Sequence, residues 1–423
     1  MRLDNFAIPD QGLIAIIMLE HIGDIIACEP VIGYAKRSRP DRPVAWVTLS
    51  KYAELLEAHP RLDYLLFADS LVDADRWACS LPENCWVINL HFHQRPCPVT
   101  GVMVRNSNNP AINKLNYYDH GSLLEVFSKC AGLPPLTDAP RFYMSDKVAG
   151  QLPPTPYVVF HCQSNDTNRD WDPDKWRKLF EYFTERNIAV AEIGLTPVIN
   201  SPHPLYFDLT ADLSLQQIAI LIDSSYFFFG VDSGFAHMAN ALGKEGLIIM
   251  GAYGKWNNHI PYTGLYSINH IVRHPLLPAR YLSLEEVIAR YVILLVSQSN
   301  QTGATDTISR QFKPACGLTD DLNTGKKTKA TNDGGEKNAL PYLSFPNFFQ
   351  KMLIKIYRPL AKRDTQDEYQ LFKANPRLYF MIPGRDSTAK KAIRIILKLT
   401  GGVPSKIHEN NHTQPETRIQ GLK

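Results

Sequence analysis

The chain passes twice through an alternation of short apolar runs and helix-period stretches, and this repeated alternation constrains its fold more than any other feature. The apolar runs at 13–19, 44–49, 62–67 and 86–91 read as strands, and the stretches at 24–39, 52–58 and 119–131 read as helices. Strands that alternate with helices are joined by crossovers, which makes the strands parallel and puts the helices on the sheet faces. Pro153-Pro154-Thr155-Pro156 interrupts the rhythm and reads as a boundary. The rhythm then restarts, with strands at 157–161, 188–193, 226–229 and 246–250 and helices at 173–186, 214–223, after Gly234, and at 283–296. Pro173 suits a first helical turn, where the missing N–H costs little. Ser283 and Glu286 have capping-box spacing.

An α/β fold in two halves follows, 1–152 and 153–296. A chain of 423 residues, 44% hydrophobic and 21% charged, is too long for one ordinary core. Residues 297–340 are rich in Gln, Asn, Thr, Gly and Lys and read as a disordered linker. Residues 341–423 read as a basic amphipathic tail, with PYLSFPNFFQKMLIKIYRPLAKR and AKKAIRIILKL placing Lys and Arg beside Phe, Ile and Leu. Such a segment suits peripheral contact with the inner face of a membrane, a partner groove, or a small helical layer on the main body. The net charge of +3 is unevenly split: the tail holds 15 Lys and Arg against 6 Asp and Glu, leaving 30 against 36 in residues 1–340. That distribution argues against a nucleic-acid-binding core. The seven cysteines include no C-x-x-C pair and their number is odd, which fits a reduced, cytoplasmic setting. No run of 18 apolar residues occurs, so any membrane contact is expected to be peripheral.

Four loops hold the residue types of a binding site. The stretch 229–244, FGVDSGFAHMANALGK, follows an apolar run and carries Asp232, Ser233, Gly234 and His237 at the start of a helix. Backbone N–H groups there are unpaired within the helix and attract anions, so the stretch reads as the phosphate end of a nucleotide or nucleotide-sugar site. A bland alternative is that Asp232 caps the helix and His237 packs on the sheet. After the first strand comes His21-Ile22-Gly23-Asp24: Gly23 permits close approach of a ligand, and Asp24 is either a helix cap or a general base at a cleft mouth. The stretch 161–171, HCQSNDTNRDW, offers Arg169 as a phosphate partner, or as a surface partner of Asp170 or Asp172. The stretch 251–262, GAYGKWNNHIPY, beginning at Gly251, suits a base or ribose. His91 and His93 share a strand face beside the first loop, but no third ligand is placed by sequence, so no metal is expected. No G-x-G-x-x-G fingerprint is present, so no nicotinamide cofactor is indicated.

Taken in order, these pieces resemble glycosyltransferase family 9, the lipopolysaccharide heptosyltransferases and their relatives. Gly23-Asp24 with Pro30 resembles the family's G-D-x(5)-P signature, and His59-Pro60-Arg61-Leu62-Asp63 its helix-to-strand turn. Arg169-Asp170-Trp171 resembles its basic-x-Trp stretch, Asp232-Ser233-Gly234 with His237 its D-[ST]-G-x-x-H core, and Gly251 with Pro261-Tyr262 its glycine loop. The resemblance covers about residues 10–296 and implies a GT-B architecture, two Rossmann-like domains facing across a cleft. It further implies an inverting transferase needing no cofactor or metal, with an acceptor half at 1–152 and a nucleotide-sugar half at 153–296. The donor would be ADP-heptose-like and the acceptor a cell-surface glycan or glycolipid of the lipopolysaccharide type. In that frame Asp24 is the catalytic base, with Gly23, His91 and His93 on the acceptor side. Arg169, Asp232, Ser233, Gly234, His237 and Gly251 hold the donor phosphates. Two positions depart from the family pattern: Arg169 stands where Lys is usual, and 194–198 carry no acidic residue for the ribose. A non-catalytic sugar-nucleotide-binding scaffold and an epimerase-like enzyme are the alternatives.

Overall fold

The first half begins with β1 (Ile14–Ile17), α1 (Ile22–Ala27), α2 (Pro30–Ser38), β2 (Val44–Thr48), β3 (Tyr64–Phe67), α3 (Leu71–Ser80) and β4 (Trp86–Asn89). An antiparallel hairpin, β5 (Arg95–Pro96) and β6 (Met103–Val104), and α4 (Leu123–Cys130) complete it. The second half comprises β7 (Tyr157–His161), α5 (Pro173–Thr184), β8 (Ala189–Ile193), β9 (Tyr206–Asp208), α6 (Leu215–Ser224) and β10 (Phe227–Val231). It continues through α7 (Gly234–Ala241), β11 (Gly246–Met250), β12 (Ile271–Arg273) and α8 (Leu284–Thr302). The structure is a computed structural model that describes residues 1–106, 108–146, 152–154, 156–211, 213–252, 256, 258–267, 269–274 and 276–302. These residues fall within one compact unit, Met1–Gly317. The expected tail at 341–423 and most of the expected linker at 297–340 lie outside the described residues.

Both large sheets are parallel, in the orders β3-β2-β1-β4 and β12-β11-β10-β7-β8-β9. Residue alternation divides the first sheet cleanly. Ile14, Ile16, Trp46 and Ile88 pack with α1, α2 and α4, whereas Ala15, Ile17, Ala45 and Val47 pack with α3 and the hairpin. Coverage of both faces is what a parallel sheet requires. One face of the second sheet joins the first of these cores through Tyr157, Val159, Phe228 and Ile248, so a single apolar cluster runs across both halves. The opposite face is aromatic: Phe183 lies 5.9 Å from Phe160 and 5.3 Å from Phe229, and Tyr291 of α8 lies 5.2 Å from Phe229.

Each sheet grows away from a central strand and then crosses once to the other side, between β1 and β4 and between β7 and β10. At such a switch point the loops leaving the strands' carboxyl ends diverge and open a crevice. The loops after β7 and β10 carry Arg169 and Asp232, and the loop after β1 leads into the first turn of α1, which carries Asp24.

Several elements differ from the sequence expectation. The helical stretch at 24–39 is two helices, with the break at Pro30, where a proline inside a helical pattern is expected to bend it or shift its start: it has no N–H to give and opens α2. The stretch at 52–58 is a 3-10 turn over Ser50–Leu55. α4 starts at Leu123, behind a Ser122–Glu125 capping box. α3 buries only Leu71 and Ala74 in its interior, which leaves a weak apolar period, although Ser70 caps it through the Asp73 amide. β9 and β12 are three-residue edge strands without an apolar run.

Candidate active site

α1 and α7, one from each half, meet through their first turns, and two glycines allow it. A Cβ on Gly23 would lie 2.8 Å from Cδ2 of His237. A Cβ on Gly234 would lie 2.8 Å from Cβ of Ile22 and 3.3 Å from the Gly23 amide. Above this contact opens a cleft of about 1000 Å³, lined from both halves. Asp24, Gly23 and His21 form one wall, and Arg169, Asp232, Ser233, Gly234 and His237 form the facing wall.

On the second-half wall, Ser233 rather than Asp232 caps α7: its Oγ accepts the Ala236 amide at 3.3 Å. The same hydroxyl lies 3.0 Å from Nδ1 of His161, within hydrogen-bond distance. Asp232 is buried and accepts the Tyr262 hydroxyl at 2.7 Å, while Nη1 of Arg169 lies 3.5 Å from its other oxygen. Arg169 also donates to Asn165. The surface pairing weighed for Arg169 is absent, because Asp170 accepts the Ser164 amide and hydroxyl and Asp172 caps α5. Trp171 anchors the loop, with its indole N–H on the Leu282 carbonyl and its ring edge-on to Trp176 at 5.1 Å. The ring of His237 lies against Tyr262 at 4.3 Å.

Burial, reinforced by the Arg169 charge, pushes the pKa of His161 down to about 3. Burial also lowers His237, to about 4, with Asp232 opposing and Arg169 assisting. Both rings are therefore neutral near pH 7. Burial raises the pKa of half-buried Asp24, and the charge of Arg95 and the His21 amide hold it back.

Three expected site residues lie elsewhere. His91 is buried, and its Nε2 accepts the Leu19 amide. His93 is held to the Asn106 carbonyl. Neither is among the residues lining the cleft. Gly251 is also absent from the lining, because the 278–279 backbone crosses it and a Cβ would run into the Ala279 amide. From the same loop, Trp256 and Pro261 do reach the cleft. His161 and Tyr262 fall within two of the stretches singled out from the sequence, without individual roles there; no motif marks Lys114, Tyr117 and Tyr118, which line the cleft together with His161. Trp256 crosses from the second half to lie edge-on to Tyr118 at 5.4 Å and Tyr117 at 5.9 Å, closing one side. Among the described residues no group of three or more His, Cys, Asp or Glu side chains is arranged to hold a metal, and no helix is long and apolar enough to cross a membrane.

The family model for glycosyltransferase family 9 (heptosyltransferase) matches residues 136–259, a span that holds Arg169, Asp232 and His237 but not Asp24. A glycosyl transferase family 9 structure from Veillonella parvula aligns with a TM-score of 0.50 at 15% identity, covering 68% of this chain and 98% of that one. The E. coli ADP-heptose LPS heptosyltransferase II aligns with a TM-score of 0.51 at 12% identity, covering 68% and 99%. The iron-containing dodecameric glycosyltransferase TibC of enterotoxigenic E. coli aligns at 0.49 with 16% identity, covering 69% and 78%. At these identities the likeness is one of fold. No curated protein matches the chain in sequence. The chain thus carries a glycosyltransferase family 9 domain at residues 136–259, on the two-sheet GT-B fold of the solved transferases of that family.

Proposed function

We propose that this chain is an inverting, metal-independent glycosyltransferase. It moves a heptose or related sugar from a nucleotide-diphosphate donor of the ADP-heptose kind to a hydroxyl of a cell-surface glycan or lipopolysaccharide-type acceptor. In this reading residues 1–152 hold the acceptor and residues 153–296 the donor. The observation that carries the reading is the meeting, in one cleft, of a carboxylate from the first half with a cation and a capped helix start from the second.

In the proposed reaction Asp24 takes the proton of the acceptor hydroxyl as that oxygen attacks the anomeric carbon and the bond to the diphosphate breaks. A carboxyl raised above its ordinary pKa is better matched to that proton transfer near neutral pH. Charge develops on the departing diphosphate, where the α7 amide dipoles and the Arg169 guanidinium oppose it without reorganising. Neutral His161 lines the same wall without adding charge. These groups supply the neutralisation that a metal would otherwise provide.

A panel of nucleoside diphosphates tested by calorimetry, followed by mass analysis of the acceptor after incubation with ADP-heptose, tests the reading. Selective ADP binding and an acceptor heavier by one heptose support it. Donor binding with no product under any acceptor favours the scaffold alternative, for which the lack of an acidic residue at 194–198 speaks. The basic tail would bring the enzyme to an anionic membrane surface. Vesicle binding that falls with added salt and is lost on truncation after residue 340 is the expected result, and binding insensitive to both contradicts it.

A further inference from the structure

Asp24 is delivered to the cleft by residues 18–21, between β1 and α1, and that loop is held from outside at several points. The Leu19 amide donates to Nε2 of His91 at 3.4 Å, and the Leu19 carbonyl accepts the Thr48 hydroxyl at 3.0 Å. Nη2 of Arg95, the first residue of the hairpin, donates to the Glu20 carboxylate at 3.0 Å. The His21 amide then donates to Oδ2 of Asp24 at 3.3 Å. The Glu20 and Arg95 side chains are only 10% and 13% exposed. Burying two charges carries a desolvation cost that mutual attraction often fails to recover, so such a pair calls for a role other than stability. Neither residue belongs to the apolar clusters, and neither lines the cleft.

We propose that Arg95 is a positioning residue for the transfer reaction: through its buried ion pair with Glu20 it fixes the loop that presents Asp24 and keeps its own positive charge beside that carboxylate. The proposal rests on the reading of Asp24 as the base. His91 completes the clamp. Its Nε2 is engaged as an acceptor, so its proton sits on Nδ1, which is buried without a partner, and burial together with Arg95 keeps the ring uncharged. The titratable groups around Asp24 are Glu20 and His21 on its own loop, Arg95, Cys28 one turn along α1, His237 on α7 and Tyr52 of the 3-10 turn. Of the charges that favour its ionised form, Arg95 acts most strongly, whereas Glu20 opposes ionisation.

The test is the titration midpoint of the Asp24 carboxyl, followed by 13C NMR in the full chain labelled at the aspartate carboxyl carbon. Its resonance is assigned by its loss in Asp24→Asn. Arg95→Gln is expected to raise the midpoint by about one pH unit, the scale of a close opposite charge. Turnover with ADP-heptose is expected to fall while KM for the donor holds, and Arg95→Lys to recover most of both. Glu20→Gln is expected to shift the midpoint the other way, and this variant decides the matter should Arg95→Gln not fold. An unmoved midpoint in either folded variant, or shifts of the same sign in both, overturns the proposal. Should Asp24→Asn keep its turnover, the base reading fails by itself; an inactive Asp24→Asn with an unmoved midpoint in Arg95→Gln sinks only the positioning role.

Discussion

Single side chains in the cleft take their protonation states from their surroundings. His161 and His237 are neutral because they are buried near Arg169, so unfolding releases two rings that protonate with the ordinary value of 6.5. Between that value and about pH 3–4 the unfolded chain binds more protons than the native one. Stability is therefore complete above pH 6.5 and declines as the pH falls through this window. Thermal midpoints recorded from pH 7 to pH 4 should show that decline, with a shallower slope in His237→Gln. Asp24 works in the opposite sense. Its folded pKa is raised above the ordinary 3.8, so its ionisation weakens the native state as pH rises. Asp24→Asn should be no less stable than the parent at pH 7, and its advantage should shrink toward pH 4. Arg169 is a cation on the second-half wall of the cleft, and a charged hydrogen bond from it to the diphosphate of the proposed donor would contribute about 1.5–3 kcal/mol. Arg169→Ala should weaken ADP binding by roughly ten- to a hundredfold in calorimetry, with Arg169→Lys in between because it keeps charge without the planar fork.

At the scale of elements, the contact between α1 and α7 fixes how far apart the two walls stand. Gly234→Ala would push a methyl group against Ile22, and overpacking of this kind costs about 1–3 kcal/mol. A lower thermal midpoint together with reduced turnover is the expected outcome; full turnover would mean that the glycine contact does not set the spacing. Much of this was legible in the chain. An apolar strand followed by Ser233-Gly234 and a small-residue helix marks a helix start, although Asp232 was the cap the sequence offered and Ser233 is the one that serves; Trp171 belongs to the stretch that carries Arg169. What was missed lacked a local signal. α3 covers the sheet with a mostly polar helix, and β9 and β12 take their place by pairing at an edge. His91 and His93 were expected to share a strand face, but β4 ends at Asn89 and both lie beyond it: one turned to the Leu19 amide and the other to the Asn106 carbonyl. The aromatic wall of Tyr117, Tyr118 and Trp256 joins residues over a hundred positions apart, a pairing that only the tertiary fold creates.

At the largest scale, each sheet leaves a crevice at its switch point, and the two crevices are brought together by a shared apolar core and by the contact between α1 and α7. In the proposed reaction acceptor chemistry and leaving-group chemistry fall to different halves, so that loss of one should spare the other. ADP release from ADP-heptose in the presence of a lipopolysaccharide-type acceptor, compared between the parent and Asp24→Asn, measures this division most directly. The parent should release ADP and extend the acceptor; Asp24→Asn should bind ADP with unchanged affinity and turn over about 10²–10⁴-fold more slowly. Near-parental turnover in Asp24→Asn, or equal loss of ADP binding and turnover, would contradict an active site split between the two halves.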